Sequence, residues 1–396
     1  MKKKNDAAVF VVVIMILVAS AVGVIHVIAN NSANSGSIEG RWYCYTIEGY
    51  DPEGDYFSCE GNLEKEIMLW VDEDVDPNLF YGIYSSDEGT TNIAGAVVNG
   101  MVECQFSLAD CNYTIRGQLN SRMDAVAIIV NIENSEGSQL YYCNYLKYGG
   151  RGVPILFKNA VISTGWVSQY SSAIDSDNEM SGVSAESLVI TECKDKVFKG
   201  FMDQNDREVA VKAAFIYSSG VWRGLMVDDL GVLWYLRIDD NTMTVTSFDT
   251  DDVMATKCIF TSNGQEAVTY SAYCSGTWST ESITILSSDG KVITHGGTCD
   301  LLIRTPQNSD PVQNNNKLNL VSVTSQSDMQ YNDGNGVGGI LVYQGLMNIR
   351  LIVVNGDTTS KISGWFSSDG EKLYLYGIFV YKGEYYSESI TMQKVH

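Results

Sequence analysis

The chain has 396 residues, of which 45% are hydrophobic, so its length predicts two or three domains with cores of their own. A formal net charge of −22 argues against binding to nucleic acid, because a phosphate backbone requires clustered lysine and arginine. The basic cluster Lys2-Lys3-Lys4 stands at the very start of the chain.

An uncharged apolar segment follows this basic start and runs from Ala7 to Ala29. About 20 apolar residues in a helix, at about 1.5 Å per residue, cross a hydrocarbon core of about 30 Å. The sequence therefore predicts a leader and transmembrane helix over residues 1–29, with the N-terminus inside and the bulk of the chain outside. Ala19-Ser20-Ala21 also fits a signal-peptidase site, but the apolar run continues to Ile28, which favours a retained anchor.

The first thirty residues also resemble the leader of archaeal type IV pilins. Lys3-Lys4-Asn5-Asp6-Ala7-Ala8-Val9 is followed at once by the apolar helix, as in that family. The resemblance implies that a peptidase removes the basic leader and that the helix packs into a filament core. The chain departs from the pattern at Phe10-Val11, where the family commonly has a Ser-Pro pair.

Residues 30–37 are rich in Asn, Ser and Gly, which predicts a flexible stalk. Beyond them, short apolar or alternating runs bounded by turn residues replace helical periodicity, and this pattern is typical of an all-β chain. One example is Ser288-Asp289-Gly290 between two apolar runs, because Asp-Gly supplies the positive φ angles of a tight hairpin. Similar turn signals occur at Asn99-Gly100, Asn263-Gly264, Asn355-Gly356 and Asp369-Gly370.

A Gly-Trp signal opens a predicted strand three times, and the tryptophans are 124 and 112 residues apart, the size of a small domain. The matching positions are Gly40 and Trp42, Gly165 and Trp166, and Gly276 and Trp278. A second glycine, at Gly117, Gly224 and Gly364, ends a later strand of each unit and precedes a turn, an apolar strand and one closing strand. The sequence thus predicts three tandem antiparallel β-domains over residues 38–150, 158–262 and 268–396.

A Gly-x-Trp strand followed by a meander of about eight antiparallel strands resembles the calycin barrels, that is, the lipocalin and avidin-like families. The resemblance implies that Trp42, Trp166 and Trp278 pack across one end of three barrels, and that a barrel interior can hold a small ligand. In the second unit, glycine and tryptophan are adjacent, which departs from the family pattern. The ligand-binding residues of these families cannot be placed on this chain.

Nine cysteines follow the apolar segment, and in an exported chain they form disulfides more often than metal sites. They are Cys44, Cys59, Cys104, Cys111, Cys143, Cys193, Cys258, Cys274 and Cys299. Because the first and last strands of a closed meander are neighbours, we predict a Cys44–Cys143 bridge, with Cys44–Cys59 as the alternative. Cys104–Cys111 and Cys274–Cys299 are further candidate pairs.

Candidate chemical sites are few. Asp175, Asp177 and Glu179 alternate in the manner of calcium ligands, but the segment lacks the glycine and distal glutamate of an EF-hand, so a solvated turn is the favoured interpretation. No metal site and no cofactor is predicted. A Ser-His-Asp triad would have to use His295 or His396, and no Gly-x-Ser-x-Gly elbow supports one.

These patterns predict a membrane-anchored extracytoplasmic surface protein that acts by binding or adhesion, without catalysis. Ala7 to Ala29 would contact the lipid bilayer, and the three modules would contact an unknown extracellular partner in a multivalent manner. Three alternatives stay open: a small-ligand binder that uses its barrel interiors, a pilin-like filament subunit, and a hydrolase that uses carboxylates.

Overall fold

The computed structural model describes residues 37–61, 65–155, 162–175, 179–218, 220–262, 264, 267, 275–293, 299–304, 320–327, 337–343, 348–355 and 358–396. The predicted stalk, except Ser37, and the predicted transmembrane helix lie outside these residues. Within the described residues, no helix is long and apolar enough to cross a bilayer. Every regular element described is a strand, so the all-β prediction is confirmed.

The first sheet has nine strands. Their bounds are β1 Gly40–Tyr50, β2 Tyr56–Glu60, β3 Glu66–Trp70, β4 Leu79–Ser86, β5 Gly89–Val98, β6 Met101–Leu108, β7 Cys111–Leu119, β8 Ala125–Asn134 and β9 Gly137–Lys147. Each strand pairs antiparallel with its neighbours, and β1 pairs with both β3 and β9, which closes an eight-stranded barrel. The short β2 extends the far end of β1.

The second sheet repeats this order and closes through β10 and β18. Its strands are β10 Gly165–Ile174, β11 Met180–Ser181, β12 Ala185–Lys194, β13 Val197–Gln204, β14 Arg207–Ser218, β15 Val221–Asp228, β16 Leu233–Asp239, β17 Thr242–Asp249 and β18 Met254–Thr261.

The third sheet has the same order, and β19 pairs with β27. Its strands are β19 Gly276–Ser287, β20 Val292–Ile293, β21 Cys299–Arg304, β22 Leu320–Ser327, β23 Val337–Tyr343, β24 Asn348–Asn355, β25 Thr358–Phe366, β26 Lys372–Tyr381 and β27 Glu384–Val395. The three sheets are called barrels 1, 2 and 3 below.

After the strand that contains Gly224, barrel 2 has three strands, one more than the sequence pattern predicted. Gly117 in β7 and Gly364 in β25 are each followed by two further strands, whereas Gly224 in β15 is followed by three. The strand that the prediction missed is β17. Its inner face carries only two core apolar residues, Met243 and Val245, which alternate with threonines. An apolar alternation of this length is too short to identify a strand from the sequence.

The three tryptophans of the Gly-Trp signal lie in the cores of the three barrels. The indole Nε1 of Trp42 donates to the carbonyl of Ile38 at 2.9 Å, and that of Trp166 donates to the carbonyl of Ser163 at 2.9 Å. These two indole N–H groups thus hold the chain that enters the first strand of barrels 1 and 2, and all three rings contribute their large apolar area to the cores.

The barrels pack on one another through their outer faces. Both faces of β8 are buried, because Ile128 belongs to the core of barrel 1 while Ile129 packs with Leu225 and Tyr235 of barrel 2. Lys212 Nζ of barrel 2 donates to the carbonyls of Asp51 and Pro52 in the turn after β1, at 2.8 and 3.0 Å.

Barrel 3 packs against barrel 1 in the same way. Leu286 of β19 forms a small apolar cluster with Leu79 and Ala96 of barrel 1. Ser107 and Tyr385 add a hydrogen bond between their hydroxyls at 3.0 Å. The three barrels therefore share interfaces and form one packed assembly.

We predict that Gly224→Ala lowers the free energy of unfolding by about 1 to 3 kcal/mol, because a Cβ there overlaps the carbonyl oxygen of Ala214 on the paired strand. Gly182→Ala is the matched control, since a Cβ at Gly182 meets no atom within 4 Å. Chemical denaturation of both variants checks this expectation. Equal stability of the two variants would contradict it.

Candidate functional site

The candidate site lies where the outer faces of the three barrels meet. Glu103 of β6 and Arg116 of β7 are cross-strand partners on barrel 1. Their neighbours Cys104 and Ile115 belong to the core, so strand alternation directs Glu103 and Arg116 outward. There they meet residues of barrels 2 and 3.

Glu103 binds arginines from two different barrels. Its Oε1 accepts a hydrogen bond from Arg116 Nε at 3.0 Å and another from Arg350 Nη1 of barrel 3 at 3.1 Å. Ser363 Oγ of barrel 3 donates to the same oxygen at 2.9 Å. The ring of Tyr235 from barrel 2 lies 3.6 Å from the Arg350 guanidinium carbon, measured to the ring centroid. These five residues are called the Glu103 cluster.

Electrostatics keep Glu103 ionised within this cluster. Burial raises the pKa of Glu103, but the charges of Arg350 and Arg116 and the hydrogen bonds from Ser363 and Arg350 outweigh it, so the pKa lies below its ordinary value. Burial also lowers the pKa of Arg116, an effect that the charge of Glu103 opposes. The carboxylate therefore serves as the counter-charge of two buried arginines.

A cavity of about 250 Å³, called the junction cavity, opens beside the Glu103 cluster. All three barrels contribute to its wall. The lining residues are Ala96, Val98, Asn99, Met101, Glu103 and Arg116 of barrel 1, Arg223, Leu236 and Arg237 of barrel 2, and Ile349, Ser363, Gly364, Trp365 and Tyr376 of barrel 3. Asn99 is exposed and Arg223, Arg237 and Trp365 are partly exposed, so the cavity communicates with solvent.

Two of the lining arginines face each other across adjacent strands. Arg223 of β15 and Arg237 of β16 are direct cross-strand partners. Arg237 Nη2 forms an ion pair with Asp239 at 2.8 Å, whereas Arg223 Nη1 donates to the carbonyl of Ser218 at 3.3 Å. Burial and the neighbouring charges of Arg237 and Arg116 lower the pKa of Arg223 to about 10.

An aromatic stack forms the barrel 3 side of the cavity. The Trp365 ring stacks on Tyr376 with a centroid separation of 5.5 Å and an interplanar angle of 16°. Tyr374 stacks on the same indole at 5.5 Å and 30°. The indole is partly exposed and is held by its two tyrosine neighbours, so it contributes aromatic surface to the cavity wall.

The interior of barrel 1 offers much less space than the junction cavity. Its cavity measures about 40 Å³ and is lined by apolar side chains such as Trp42, Phe80 and Ile128, together with Tyr145. A volume of this size is close to that of one water molecule, which occupies about 30 Å³ in the liquid. In barrel 2, the fully buried rings of Phe198, Phe215 and Phe260 fill the core.

The residues that the sequence marked as a repeat hold structural positions. Gly40, Gly165 and Gly276 begin β1, β10 and β19, and their tryptophans lie in the cores, away from the junction cavity. Of the calcium candidates, Asp175 and Glu179 bracket the turn after β10, where Glu179 N donates to Asp175 Oδ1 at 2.9 Å, and Asp177 lies outside the described residues. Among the described residues, no group of acidic, cysteine or histidine side chains could hold a metal ion.

The register separates some of the predicted cysteine pairs. Cys59 pairs with Ile47 and Cys111 pairs with Leu108, so Cys44–Cys59 and Cys104–Cys111 are offset along their strands by about 10 Å or more at 3.3 Å per residue. A disulfide needs Cα atoms within about 7 Å, so these two bridges do not fit the fold.

Cys44 and Cys143 fit the predicted pairing better. Both are buried in barrel 1, on the adjoining strands β1 and β9. Burial raises the pKa of Cys143, and a hydrogen bond with the Cys44 side chain adds to the shift. Both are free thiols in this structure, as are Cys59, Cys104, Cys111, Cys193 and Cys258, so the Cys44–Cys143 bridge stays a prediction. Cys274 lies outside the described residues.

Sequence reasoning did not identify the residues of the junction. Arg116, Arg223, Arg237 and Arg350 lie inside strands among apolar neighbours, in a chain with 26 basic and 48 acidic residues. A cation inside an otherwise apolar strand is a usable signal, because burial of a charge requires a partner. The sequence does not reveal which distant residue is that partner.

Neither a protein-family model nor a curated protein sequence matches the chain. Among solved structures it is similar to a protein of unknown function from the DUF3598 family of Nostoc punctiforme, at 10% identity and a TM-score of 0.25, over 59% of this chain and 96% of that one. It is also similar to the isotype 1 transferrin binding protein B of serogroup B Neisseria meningitidis, at 9% identity and a TM-score of 0.21, over 90% of this chain and 77% of that one. A likeness of this degree assigns neither family nor function.

We predict that Glu103→Gln lowers the free energy of unfolding at pH 7 by about 3 kcal/mol, because it leaves two buried arginines without their counter-charge. The folded-state pKa of Glu103 is lowered, so its contribution is present above the ordinary carboxyl pKa and is lost as pH falls through the folded value. The difference from the wild type should therefore shrink in acid.

Glu66→Gln is the control for this measurement. Glu66 pairs with Arg41 at the surface, where the two side chains are 32% and 47% exposed, so its loss should cost less than about 1 kcal/mol. Urea unfolding at several pH values measures both variants. An equal cost for the two substitutions would show that the Glu103 cluster does not stabilise the assembly.

A second buried carboxylate, Glu388, lies inside barrel 3. It shares the inner face of β27 with Ile390 and Met392, and its Oε1 has no hydrogen-bond partner. Burial raises the pKa of Glu388 to about 7, opposed by a hydrogen bond with Ser360. Folding therefore favours the protonated carboxyl.

We predict that Glu388→Gln makes the chain more stable than the wild type at pH 8, by up to about 3 kcal/mol at about 1.4 kcal/mol per pKa unit. The raised pKa means that the wild type is fully stable below the ordinary carboxyl pKa and loses stability as pH rises towards about 7. The two proteins should agree near pH 4. Thermal unfolding from pH 4 to 8 tests this, with exposed Glu133→Gln expected to show no such trend.

Proposed function

We propose that this chain is a binding protein displayed outside a membrane and that it holds a small ligand in the junction cavity. The observation that supports this proposal most directly is that all three barrels contribute to the cavity wall, where charged and aromatic side chains surround one space of about 250 Å³. Ligand sites are commonly clefts between domains with a few placed polar groups, and this cavity is of that kind.

The packing of the barrels supports one shared site. In multivalent adhesion, each module carries its own site and the linkers allow independent contact. Here Glu103, Arg350 and Tyr235 join the three barrels through buried contacts. The proposal therefore places binding at the meeting point of the modules, not on each module separately.

The barrel interiors support the alternative less well. Barrel 1 retains about 40 Å³ between apolar side chains, and aromatic rings fill barrel 2. A drug-sized ligand needs a pocket of about 300 Å³ or more, and the junction cavity, at about 250 Å³, is nearer to that size than the space inside barrel 1.

The acid–base character of the junction also favours binding over hydrolysis. Glu103 is the carboxylate of the cavity wall, and two arginines hold its pKa below the ordinary value. A general acid needs a raised pKa near the working pH, so Glu103 is poorly suited to that role.

The membrane attachment is the part of the proposal that rests on sequence. The uncharged segment Ala7 to Ala29 and the basic cluster before it support an anchor with the three barrels outside. A net charge of −22 agrees with a soluble, displayed body.

We expect the purified full-length chain to retain a small molecule that native mass spectrometry detects. Val98→Trp should abolish retention, because Val98 lines the junction cavity and an indole there fills it. Val189→Trp is the control, since Val189 is 45% exposed on barrel 2 and does not line the cavity. Retention by Val98→Trp, or the absence of any retained molecule in the wild type, would contradict the proposed site.

A further inference from the structure

We propose that the ligand of the junction cavity is a small oxyanion carried on a six-membered ring, such as a sugar acid or an aromatic acid. This inference rests on the proposed function, because it names the chemical class of the ligand for the same cavity. Three features of the wall support it: the charge balance, the opposed arginines and the aromatic stack.

The charge balance of the wall is positive. Arg116, Arg223 and Arg237 line the cavity together with a single carboxylate, Glu103. Glu103 is already bound by Arg116 and by Arg350 behind the wall. The chain as a whole has a net charge of −22, so the positive charge of the cavity wall is opposite in sign to that of the rest of the protein. An anion that enters the cavity would be attracted by this positive wall.

The cross-strand pair of arginines gives the sharper argument. Like charges directly opposite on adjacent strands are destabilising, yet Arg223 and Arg237 occupy such positions on β15 and β16. Asp239 balances Arg237, while the described contact of Arg223 is with the Ser218 carbonyl, which leaves donors of its guanidinium available. A carboxylate or phosphate between the two planar guanidinium groups would accept hydrogen bonds from both.

The volume and the aromatic wall determine the rest of the ligand. An apolar protein cavity of about 150 Å³ holds a benzene molecule, so about 250 Å³ accommodates one six-membered ring with a charged substituent. Trp365 and Tyr376 both line the cavity, and stacking on Tyr374 and Tyr376 holds the indole in place, so this wall offers aromatic surface for such a ring to contact. The arginines lie on barrel 2 and the stack on barrel 3, so the ligand would touch both.

Isothermal titration of the full-length chain with matched probes tests the ligand class. Glucuronate and benzoate are the acids, and glucose and benzyl alcohol are their neutral counterparts. We expect at least one acid to bind, with its neutral counterpart at least about tenfold weaker. We also expect the affinity for that acid to fall as salt is added. Whichever acid binds more tightly distinguishes a sugar ring from an aromatic ring.

Variants separate a binding role from a structural one. Arg223→Met should weaken binding of the acid at least about tenfold, while the Tm of the ligand-free chain stays equal or rises because the opposed charge is gone. Arg207→Met is the matched control, since Arg207 is exposed at the start of β14 and does not line the cavity. Trp365→Ala should weaken binding of the ring acid but not of inorganic phosphate.

The outcomes distinguish failure of the ligand class from failure of the proposed site. Equal binding of acid and neutral probes, or unchanged acid binding by Arg223→Met, would contradict the proposal that the ligand is an oxyanion. If the neutral probe binds and Val98→Trp blocks it, the cavity is still the binding site but the ligand is not an anion. If no probe binds at about 10 mM, the ligand class is wrong, whatever native mass spectrometry shows for the cavity.

Discussion

The ion pairs of Glu103 are the interaction on which the arrangement of the three barrels depends. One carboxylate holds Arg116 of its own barrel and Arg350 of barrel 3, while Tyr235 of barrel 2 lies against the Arg350 guanidinium. Buried charges are costly without partners, so each of these groups constrains where the others can lie. The apolar contacts of Ile129 with Leu225 and of Leu286 with Leu79 add area to the same arrangement.

The junction cavity is a consequence of packing curved surfaces. Three barrels can touch along lines, but their outer faces diverge on either side of a contact, and the space left over is lined by outward side chains. At the Glu103 cluster those side chains are charged, and next to it they are Arg223, Arg237 and Trp365. A site of this kind belongs to the assembly, because no single barrel supplies both the cations and the aromatic surface.

Some features of the fold followed directly from local sequence patterns. Gly40, Gly165 and Gly276 begin the first strand of each sheet, and the turns at Asn99-Gly100 and Asp369-Gly370 join paired strands. These features depend on backbone conformation and on alternation over a few residues, which sequence expresses directly. The strand β17 was missed because its inner face shows only two apolar residues among threonines. The predicted Cys104–Cys111 disulfide does not fit the fold, because the register places Cys111 opposite Leu108 and not opposite Cys104.

The sequence by itself determined an all-β body in three successive sheets and an uncharged N-terminal segment suited to a bilayer, since these depend on short-range pattern and composition. It did not indicate that β8 is buried on both faces, which the structure shows for Ala125 to Ile132. Only the tertiary structure decided which outer faces meet. Glu103 and Arg350 are 247 residues apart, and no local pattern specifies that a carboxylate in one barrel will neutralise a guanidinium in another. Pairing of this kind is set by the packing of whole barrels, so the candidate site became visible only in the folded chain.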